Sequence, residues 1–249
     1  LFIIILSSCS TSSQLIYLND SDKQNTYTKV DFSALKNTIE VGDILKIDVQ
    51  TIVPEAAIPY NKPTTNTATS QNLDILKLEG YHVDDSKMIN YPVLGKISVD
   101  GLNENDLESK ITQLLLEGNH LTNPTVKVRR VNSKFTVLGE VAKPGTYSYY
   151  DRHLNLFQAL GYAGDLTIDG KRKDVKLIRE ENGTREVYTI ELTKAELLNS
   201  STYSIKNNDV IIVNPSFRKV KSAGFIGSPA SVASIASLLL SITLLITNN

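Results

Sequence analysis

The stretch "VLGEVAKPGTYSYY", residues 137–150, decides how the second half of this chain folds. Its flanks, rich in Val, Leu and Tyr, favour β-strand. Between them, Pro144 presets φ for the first position of a turn, and Gly145 can take the positive φ of the next position. The stretch therefore predicts a β-hairpin whose turn contains the Pro-Gly pair.

The segments after this hairpin alternate between helix and strand patterns. "LNLFQALGYAGDL" (154–166) predicts a short amphipathic helix that ends in glycine-rich turns. "DVKLIREENGTREVYTIEL" (174–192) predicts two alternating strands joined at Asn182-Gly183, a strong signal for a second hairpin. We therefore expect hairpin, helix and hairpin to follow one another.

The last part of this region supplies a short helix and a strand. Thr193 and Glu196 have the spacing of a capping box for the helix "KAELLN". "YSIKNNDVIIVNP" (203–215) then closes the region as a buried strand. This order of elements is the one expected of a small β-grasp domain over residues 133–216.

An α+β module of mixed strands with one packed helix is predicted upstream, over residues 37–132. "VGDILKIDVQTIV" (41–53) begins with a Gly42-Asp43 turn and continues as an alternating strand, in which Ile44, Lys46 and Asp48 lie on the face opposite to Leu45, Ile47 and Val49. "PEAAIPYNKPTTNTATSQN" (54–72) is predicted to be a surface loop because Pro, Thr and Asn are frequent in it.

The rest of that module follows the same logic. "MINYPVLGKISVDGL" (88–102) predicts two short strands around a bend from Pro92 to Gly95. A helix over 104–117 has Asn103 as its cap and Gly118 at its end. "PTVKVRRV" (124–131) then predicts a strand with Lys127 and Arg129 pointing outward.

Composition excludes several classes of protein. The net charge of −1 gives no overall field that would attract nucleic acid, and the absence of Trp argues against a deep sugar cleft lined by indoles. The three histidines lie in separate segments, and no phosphate-binding Gly-x-x-x-x-Gly-Lys run occurs. We therefore predict no catalytic residue, no metal site, no cofactor and no enzyme activity.

The beginning of the sequence predicts a lipid anchor. Residues 1–9, "LFIIILSSC", form an apolar run that ends in small residues and the single cysteine, Cys9. This arrangement resembles the lipobox of bacterial lipoproteins, in which the cysteine thiol carries a diacylglycerol. The other interpretation is a buried strand with an incidental cysteine. The polar segment 10–36 is then predicted to be a flexible tether.

The end of the sequence predicts a membrane helix. Residues 223–247 contain no charged side chain, and the part from Pro229 onward would be about 28 Å long as a helix. Four serines recur along one stripe of this helix. Small residues let helices approach closely in lipid, so we expect this helix to associate with copies of itself or to line a water-filled ring. A chance stripe in a single anchor is the alternative. The stripe consists of Ser231, Ser234, Ser237 and Ser241.

A basic set of side chains has two interpretations. The residues could be solvated strand edges that resist edge-to-edge pairing, or a surface that meets an acidic polymer or a periplasmic partner. Lys171, Arg172 and Lys173 are the candidates for such a surface. The whole set comprises Arg129, Arg130, Lys134, Lys171, Arg172, Lys173, Lys176 and Arg179.

The ordered motifs resemble one known family, the Wza-like outer-membrane polysaccharide export proteins. "VGDILKI", "YPVLGKISVDGL" and "NPTVKV" resemble its polysaccharide export domain, and "VLGEVAKPGTY", "LNLFQALGYAGDL" and "DVIIVNP" resemble its soluble-ligand-binding β-grasp (SLBB) domain. Asp165 stands where the family usually has a second glycine. The turn residues carried over as structural are Gly42, Asp43, Pro92, Gly95, Gly139, Glu140, Pro144 and Gly145.

The resemblance also implies a function. It implies a lipoprotein anchored at Cys9 in the outer membrane, with its folded domains in the periplasm and its copies in a ring of eight. The ring would export capsular or extracellular polysaccharide and dock an inner-membrane co-polymerase, often a tyrosine kinase. The alternative is a doubly anchored periplasmic lipoprotein that binds a glycan without forming a pore.

Overall fold

The computed structural model describes residues 15–21, 37–62, 78–181, 183–216 and 229–247. The chain divides into two compact units. The first unit contains Lys29–Lys134 and Ser148–Leu154, and the second contains Leu1–Thr28, Phe135–Tyr147 and Asn155–Asn249. The chain thus returns to the first unit for residues 148–154 before it completes the second. The described elements make an α+β protein, as predicted.

The first unit is built on a three-stranded antiparallel sheet and a separate hairpin. The sheet has the order β2-β1-β5, with β1 at Ile44–Gln50, β2 at Tyr81–His82 and β5 at Thr125–Arg130. The hairpin joins β3, Met88–Tyr91, to β4, Gly95–Ser98. The predicted alternation is present in β1, and the face that carries Leu45, Ile47 and Val49 is the buried one.

Helical segments of the described ranges accompany these strands. Helix α2 spans Glu104–Glu117, and its capping box joins Asn103 to Asp106. Its buried side chains, Leu107, Ile111 and Leu115, recur at the helical period and face the core of the first unit.

The segment predicted to be a loop over 54–72 contains the other helix. Helix α1 occupies Pro54–Ala57 and a 3-10 turn occupies Ile58–Tyr60. The loop prediction was therefore wrong for its first part: Pro54 begins a helix, and burial of Ala57 and Tyr60 in the core holds the turn in place.

The second unit is built on a five-stranded sheet with the order β10-β9-β12-β6-β7. Strand β12 is parallel to β6 and antiparallel to β9, so the last strand lies between the two hairpins. The hairpin, helix, hairpin, short helix and final strand follow one another as predicted for a β-grasp. The strands are β6 at Lys134–Gly139, β7 at Gly145–Ser148, β9 at Gly170–Glu181, β10 at Thr184–Ile190 and β12 at Val210–Pro215.

Shorter elements complete this unit. Helix α3, Leu156–Tyr162, has a capping box between Asn155 and Gln158 and buries Leu156, Ala159 and Leu160. The remaining short elements are strand β8 at Leu154–Asn155, a 3-10 helix at Ala195–Asn199 and strand β11 at Ser204–Ile205.

Part of the predicted tether is bound to the second unit. The backbone N–H groups of Leu18 and Asn19 donate to the carbonyls of Leu192 and Thr193, at 3.1 and 2.8 Å. The Asp20 carboxylate accepts from the N–H of Ala195 at 2.7 Å and so caps the 3-10 helix. Residues 15–21 are therefore docked, which corrects the prediction of a flexible tether for this stretch.

Two local predictions in the second unit were wrong. The predicted Thr193–Glu196 capping box is absent, because the Thr193 hydroxyl donates instead to Glu191 at 2.8 Å and Asp20 supplies the cap. The positive φ assigned to Gly145 occurs instead at Gly139, whose φ is +89°. The hairpin itself forms, since β6 and β7 are neighbours in the sheet.

Helix α4 spans Pro229–Thr247 near the end of the chain. Residues 233–247 are all exposed, including Leu238, Leu239 and Leu245. Over the described parts of the chain, we find no helix with the length and apolar character needed to cross a membrane. The transmembrane helix predicted over 223–247 is therefore not supported.

Candidate functional site

A buried ion pair anchors the Gly42-Asp43 turn at the start of β1. Asp43 is 2% exposed, and its carboxylate accepts from the backbone N–H of Glu40 at 2.9 Å. The same carboxylate lies 3.0 Å from the guanidinium of Arg130 at the end of β5. Gly42 has a φ of +82°, which favours glycine. The predicted turn is present, and its contacts join the ends of two strands.

The same arrangement recurs at the start of β12. The Asp209 carboxylate accepts from the backbone N–H of Lys206 at 2.8 Å and pairs with the Arg179 guanidinium at 2.7 Å. Asn208 takes the place of glycine with a φ of +66°, a conformation that Asn tolerates better than most residues. Arg130 and Arg179 are both buried in these pairs, so neither belongs to a basic surface.

Gly139 lets two strands meet closely. A Cβ atom at this position would lie 2.1 Å from the carbonyl oxygen of Val213 on β12. The next residue, Glu140, donates its backbone N–H to that same oxygen at 3.0 Å. The Glu140 carboxylate accepts from the Thr167 hydroxyl at 2.9 Å. The Gly-Glu pair therefore joins β6 to its neighbours inside the second unit.

The remaining predicted turn lies in the first unit. The bend from Pro92 to Gly95 joins β3 to β4, and Gly95 has a φ of +74° with no atom within 4 Å of the place a Cβ would occupy. Val93 also has a positive φ of 65° and is exposed. The positive φ angles and the open space around Gly95 indicate that the bend serves to form the turn between the two strands.

The predicted surface at 171–173 is smaller than the sequence indicated. Lys171 and Lys173 are exposed on β9, whereas Arg172 points to the other face of the strand and is buried. The Arg172 guanidinium donates to the carbonyls of Thr167 and Gly170 at 3.3 and 3.1 Å. Arg172 is thus an internal residue, and only the two lysines can meet a partner.

A cationic cleft, which the sequence did not predict, lies in the first unit. It has a volume of about 670 Å³ and opens over the outward faces of β1 and β5. In the register of these antiparallel strands, Lys46 lies directly opposite Arg129, and Asp48 lies opposite Lys127. The charged and aromatic residues that line this cleft are Lys46, Asp48, Glu104, Lys127, Arg129, Arg130, Tyr150, Asp151 and Arg152.

Some charged side chains of the cleft are in ion pairs, and others are not. Lys46 lies 3.8 Å from Asp48, a loose pair. Arg152 at the rim pairs with Glu108 at 2.9 Å. Among the residues that the structure describes, Lys127 and Arg129 have no ion-pair partner within 4.0 Å. The cleft therefore presents two cations that a ligand could neutralise.

The other predicted features are less informative. Ser237 and Ser241 on α4 donate their hydroxyls to the carbonyls of Ser234 and Leu238, each at 2.9 Å, within their own helix. Cys9 lies outside the described residues, and so does the side chain of Ser231. Within the described ranges, no group of three or more His, Cys, Asp or Glu side chains could hold a metal ion.

Comparison with known proteins identifies the two units. Residues 33–130 match the family described as polysaccharide biosynthesis/export protein, and residues 134–189 match the SLBB domain. The chain therefore contains a polysaccharide export domain followed by an SLBB domain. The resemblance drawn from the sequence motifs is thereby confirmed.

The chain is also similar to a named export protein. The chain is 26% identical over 199 residues to the EPS I polysaccharide export outer membrane protein EpsA of Ralstonia solanacearum. The match covers 78% of this chain and 52% of the relative, so the chain spans about half the length of that protein. Polysaccharide export proteins are transport proteins and not enzymes, which bears out the predicted lack of enzyme activity.

The sequence motifs predicted the two domains but not the cleft. The first unit corresponds to the export domain and the second contains the SLBB domain. Arg129 was part of the predicted basic set, but its neighbours in the cleft come from distant positions. The outward alternation of Lys46, Lys127 and Arg129 was visible in the sequence; the register that places Lys46 opposite Arg129 was not.

Proposed function

We propose that this protein is the subunit of a homo-oligomeric outer-membrane channel that exports capsular or extracellular polysaccharide. One observation carries the proposal: an export domain and an SLBB domain follow one another in a chain similar to an export outer membrane protein. In this proposal the subunit has a passive role. Energy would come from polymer synthesis and the inner-membrane machinery.

The docked segment 15–21 supports a position of the second unit close to a membrane. If Cys9 carries lipid, the six residues from Cys9 to Leu15 can span at most about 20 Å. Residues 15–21 are bonded to the second unit. A lipid anchor at Cys9 would therefore hold the SLBB domain within about that distance of the inner leaflet of the outer membrane, with both units in the periplasm.

Helix α4 is the element we assign to assembly. Its described side chains are exposed in the single chain, and leucines and isoleucines cover much of its surface. An apolar surface of this extent marks an interaction site. The small side chains of Ser234, Ser237 and Ser241 allow close approach of another helix. We propose that α4 packs against the same helix in neighbouring copies, in a ring that we expect to contain eight.

The two exposed lysines of β9 are assigned to a partner. Lys171 and Lys173 project from one face of the strand, and we propose that they meet the inner-membrane co-polymerase or its tyrosine kinase. Reversing both charges while leaving Arg172 intact keeps the buried hydrogen bonds of the strand. Unchanged recovery of the co-polymerase with the Lys171→Glu/Lys173→Glu variant would remove this assignment.

Sizing of the acylated full-length protein in detergent tests the proposed function. A ring of identical subunits, seen as closed particles by electron microscopy, supports the channel. A monomer supports the alternative, a glycan-binding lipoprotein without a pore, which the cleft of the first unit would also suit. A matched variant, Leu239→Lys, places a charge on the exposed surface of α4 and should release monomers. Leu116→Lys, on an exposed site of α2, is the control.

A further inference from the structure

We propose that the cationic cleft of the first unit binds a carboxylate-bearing sugar residue of an acidic polysaccharide. This inference rests on the proposed function, since it names the chemical class of the polymer that the export domain contacts. The ligand is identified by three properties of the cleft: unneutralised cations, an exposed aromatic ring and acidic hydrogen-bond acceptors.

The cations are placed where they oppose one another. Lys46 and Arg129 lie directly across from each other on neighbouring strands and project from the same face. Like charges in that position repel and destabilise a sheet. A carboxylate between them would turn this repulsion into two attractions. The sheet itself gains nothing from the arrangement, whereas an anionic ligand does.

Arg129 is the group best suited to hold that carboxylate. Its planar guanidinium can donate two parallel hydrogen bonds to one carboxylate. Within the described residues it has no ion-pair partner, and it is exposed. By contrast, Arg130 is buried against Asp43, and Arg152 is held by Glu108. The cleft therefore combines cations already committed to the fold with Arg129 and Lys127, which are available.

The other side chains of the cleft suit a sugar better than a simple anion. Tyr150 is 68% exposed, and its ring offers an apolar surface for the C–H face of a pyranose. The carboxylates of Asp48 and Asp151 can accept hydrogen bonds from sugar hydroxyls. An acidic peptide or a nucleic acid would meet these two carboxylates as like charges, whereas a sugar brings hydroxyls to them.

The size of the cleft agrees with this ligand. Its volume of about 670 Å³ lies within the range of roughly 300–1,000 Å³ that is usual for small-molecule sites. It lies entirely among residues of the first unit, so a single copy of the protein contains every group the proposal uses.

Binding of defined polymers to the full-length protein is the first test. The probes are oligogalacturonate, whose residues carry carboxylates; dextran, a neutral glucan; and poly-L-glutamate, which has carboxylates without sugar rings. We expect oligogalacturonate to bind at least about tenfold more tightly than either other polymer, and added salt to weaken it. Equal affinity for poly-L-glutamate would overturn the proposal, since charge alone would then suffice.

Lysine acetylation of the unaltered protein locates the site. Oligogalacturonate should protect Lys127, and Lys46 with it, while Lys171 and Lys173 on the second unit remain reactive. Because no residue is changed, loss of folding cannot confuse the result. Protection of Lys171 and Lys173 in place of the cleft lysines would contradict the proposal.

Variants complete the test and separate it from the proposed function. Lys127→Gln/Arg129→Gln should lower oligogalacturonate affinity by about tenfold or more, and Lys171→Gln/Lys173→Gln should leave it unchanged. Unchanged affinity in the cleft variant would overturn the inference. If the number of subunits changed as well, the cleft would be assigned to contacts between copies. The channel proposal would survive either result, because it depends on ring formation and polymer export.

Discussion

The hydroxyl of Tyr17 donates a hydrogen bond to the carboxylate of Asp165, 148 residues further along the chain. The Tyr17 ring also lies edge-on to Phe157, with ring centroids 5.6 Å apart, and beneath the guanidinium of Arg172 at 5.4 Å. Asp165 has a φ of +70°, a conformation that usually favours glycine. The aspartate that departs from the family pattern thus provides the acceptor for Tyr17.

This relationship predicts that Tyr17→Ala releases residues 15–21 from the second unit. The amides of Leu18 and Asn19 should then exchange with solvent at least about tenfold faster, because local opening governs their protection. Hydrogen exchange of the full-length protein measures this, with the core amide of Leu177 expected to keep its rate. Ile16→Ala, an exposed site of the same segment, is the control. Unchanged exchange at Leu18 and Asn19 in Tyr17→Ala would show that the ring does not hold the segment.

Gly139→Ala should destabilise the second unit by about 3 kcal/mol or more. The added Cβ would overlap the Val213 carbonyl oxygen, and the φ of +89° would be strained as well. Gly183→Ala separates the two effects, because Gly183 has a φ of +74° but open space around its Cβ position. We expect the control to lose only about 1 kcal/mol, measured by urea unfolding. Equal losses in the two variants would refute the close approach of β6 and β12.

Asp209→Asn should destabilise the second unit by roughly 3–5 kcal/mol, because it leaves the buried Arg179 guanidinium without a counter-charge. Glu180→Gln, which breaks the exposed pair with Arg185, should cost less than about 1 kcal/mol. Thermal unfolding of the three proteins compares them. The guanidinium also donates to the carbonyls of Ser201 and Ser204, at 3.3 and 2.7 Å, so a small effect of Asp209→Asn would mean that it does not need Asp209 as its counter-charge.

Alkaline pH should destabilise the first unit through two buried tyrosines. Burial raises the pKa of Tyr81 to about 12 and raises the pKa of Tyr91 further, and neither hydroxyl has a hydrogen-bond partner among the described residues. The folded state favours the neutral hydroxyls. Their contribution to the free energy of unfolding is therefore complete below the pKa of about 10 that tyrosine has in the unfolded chain, and it is lost as pH rises through the higher pKa values of the folded state.

The measurement is denaturant unfolding at pH 8 and pH 11. Between pH 8 and pH 11, each tyrosine should account for about 1 kcal/mol of the decrease in the free energy of unfolding. The decrease should be smaller for the Tyr81→Phe/Tyr91→Phe variant. At pH 8 the double variant should be at least as stable as the unaltered protein, because it removes two unpaired buried hydroxyls. A lower stability of the variant at pH 8 would show that the hydroxyls are hydrogen-bonded after all.

Local patterns were enough to predict most strands and helices of both units. The alternation of Leu45, Ile47 and Val49 and the capping of α2 by Asn103 depend on neighbouring residues only, so the sequence displays them directly. The hairpin signal at Asn182-Gly183 was likewise local, and β9 pairs with β10 as it indicated.

Several of the errors concern contacts or burial that depend on residues far away in the chain. The Asp20 carboxylate caps a helix that begins at Ala195, and no local pattern indicates that contact. Gly139 needs its positive φ because β12 approaches it, and β12 comes some seventy residues later in the chain. The burial of Arg172 follows from its position on the inner face of β9, whereas a count of basic residues treats it like its neighbours.

The most direct test of the central claim is the distribution of polysaccharide in cells that lack this protein. We expect deletion to abolish polymer on the cell surface and in the medium, with polymer retained inside the cell, and the full-length protein to restore export. Restoration should fail with Leu239→Lys if assembly through α4 is required. Normal amounts of surface and released polymer in the deletion strain would contradict a role as an export channel.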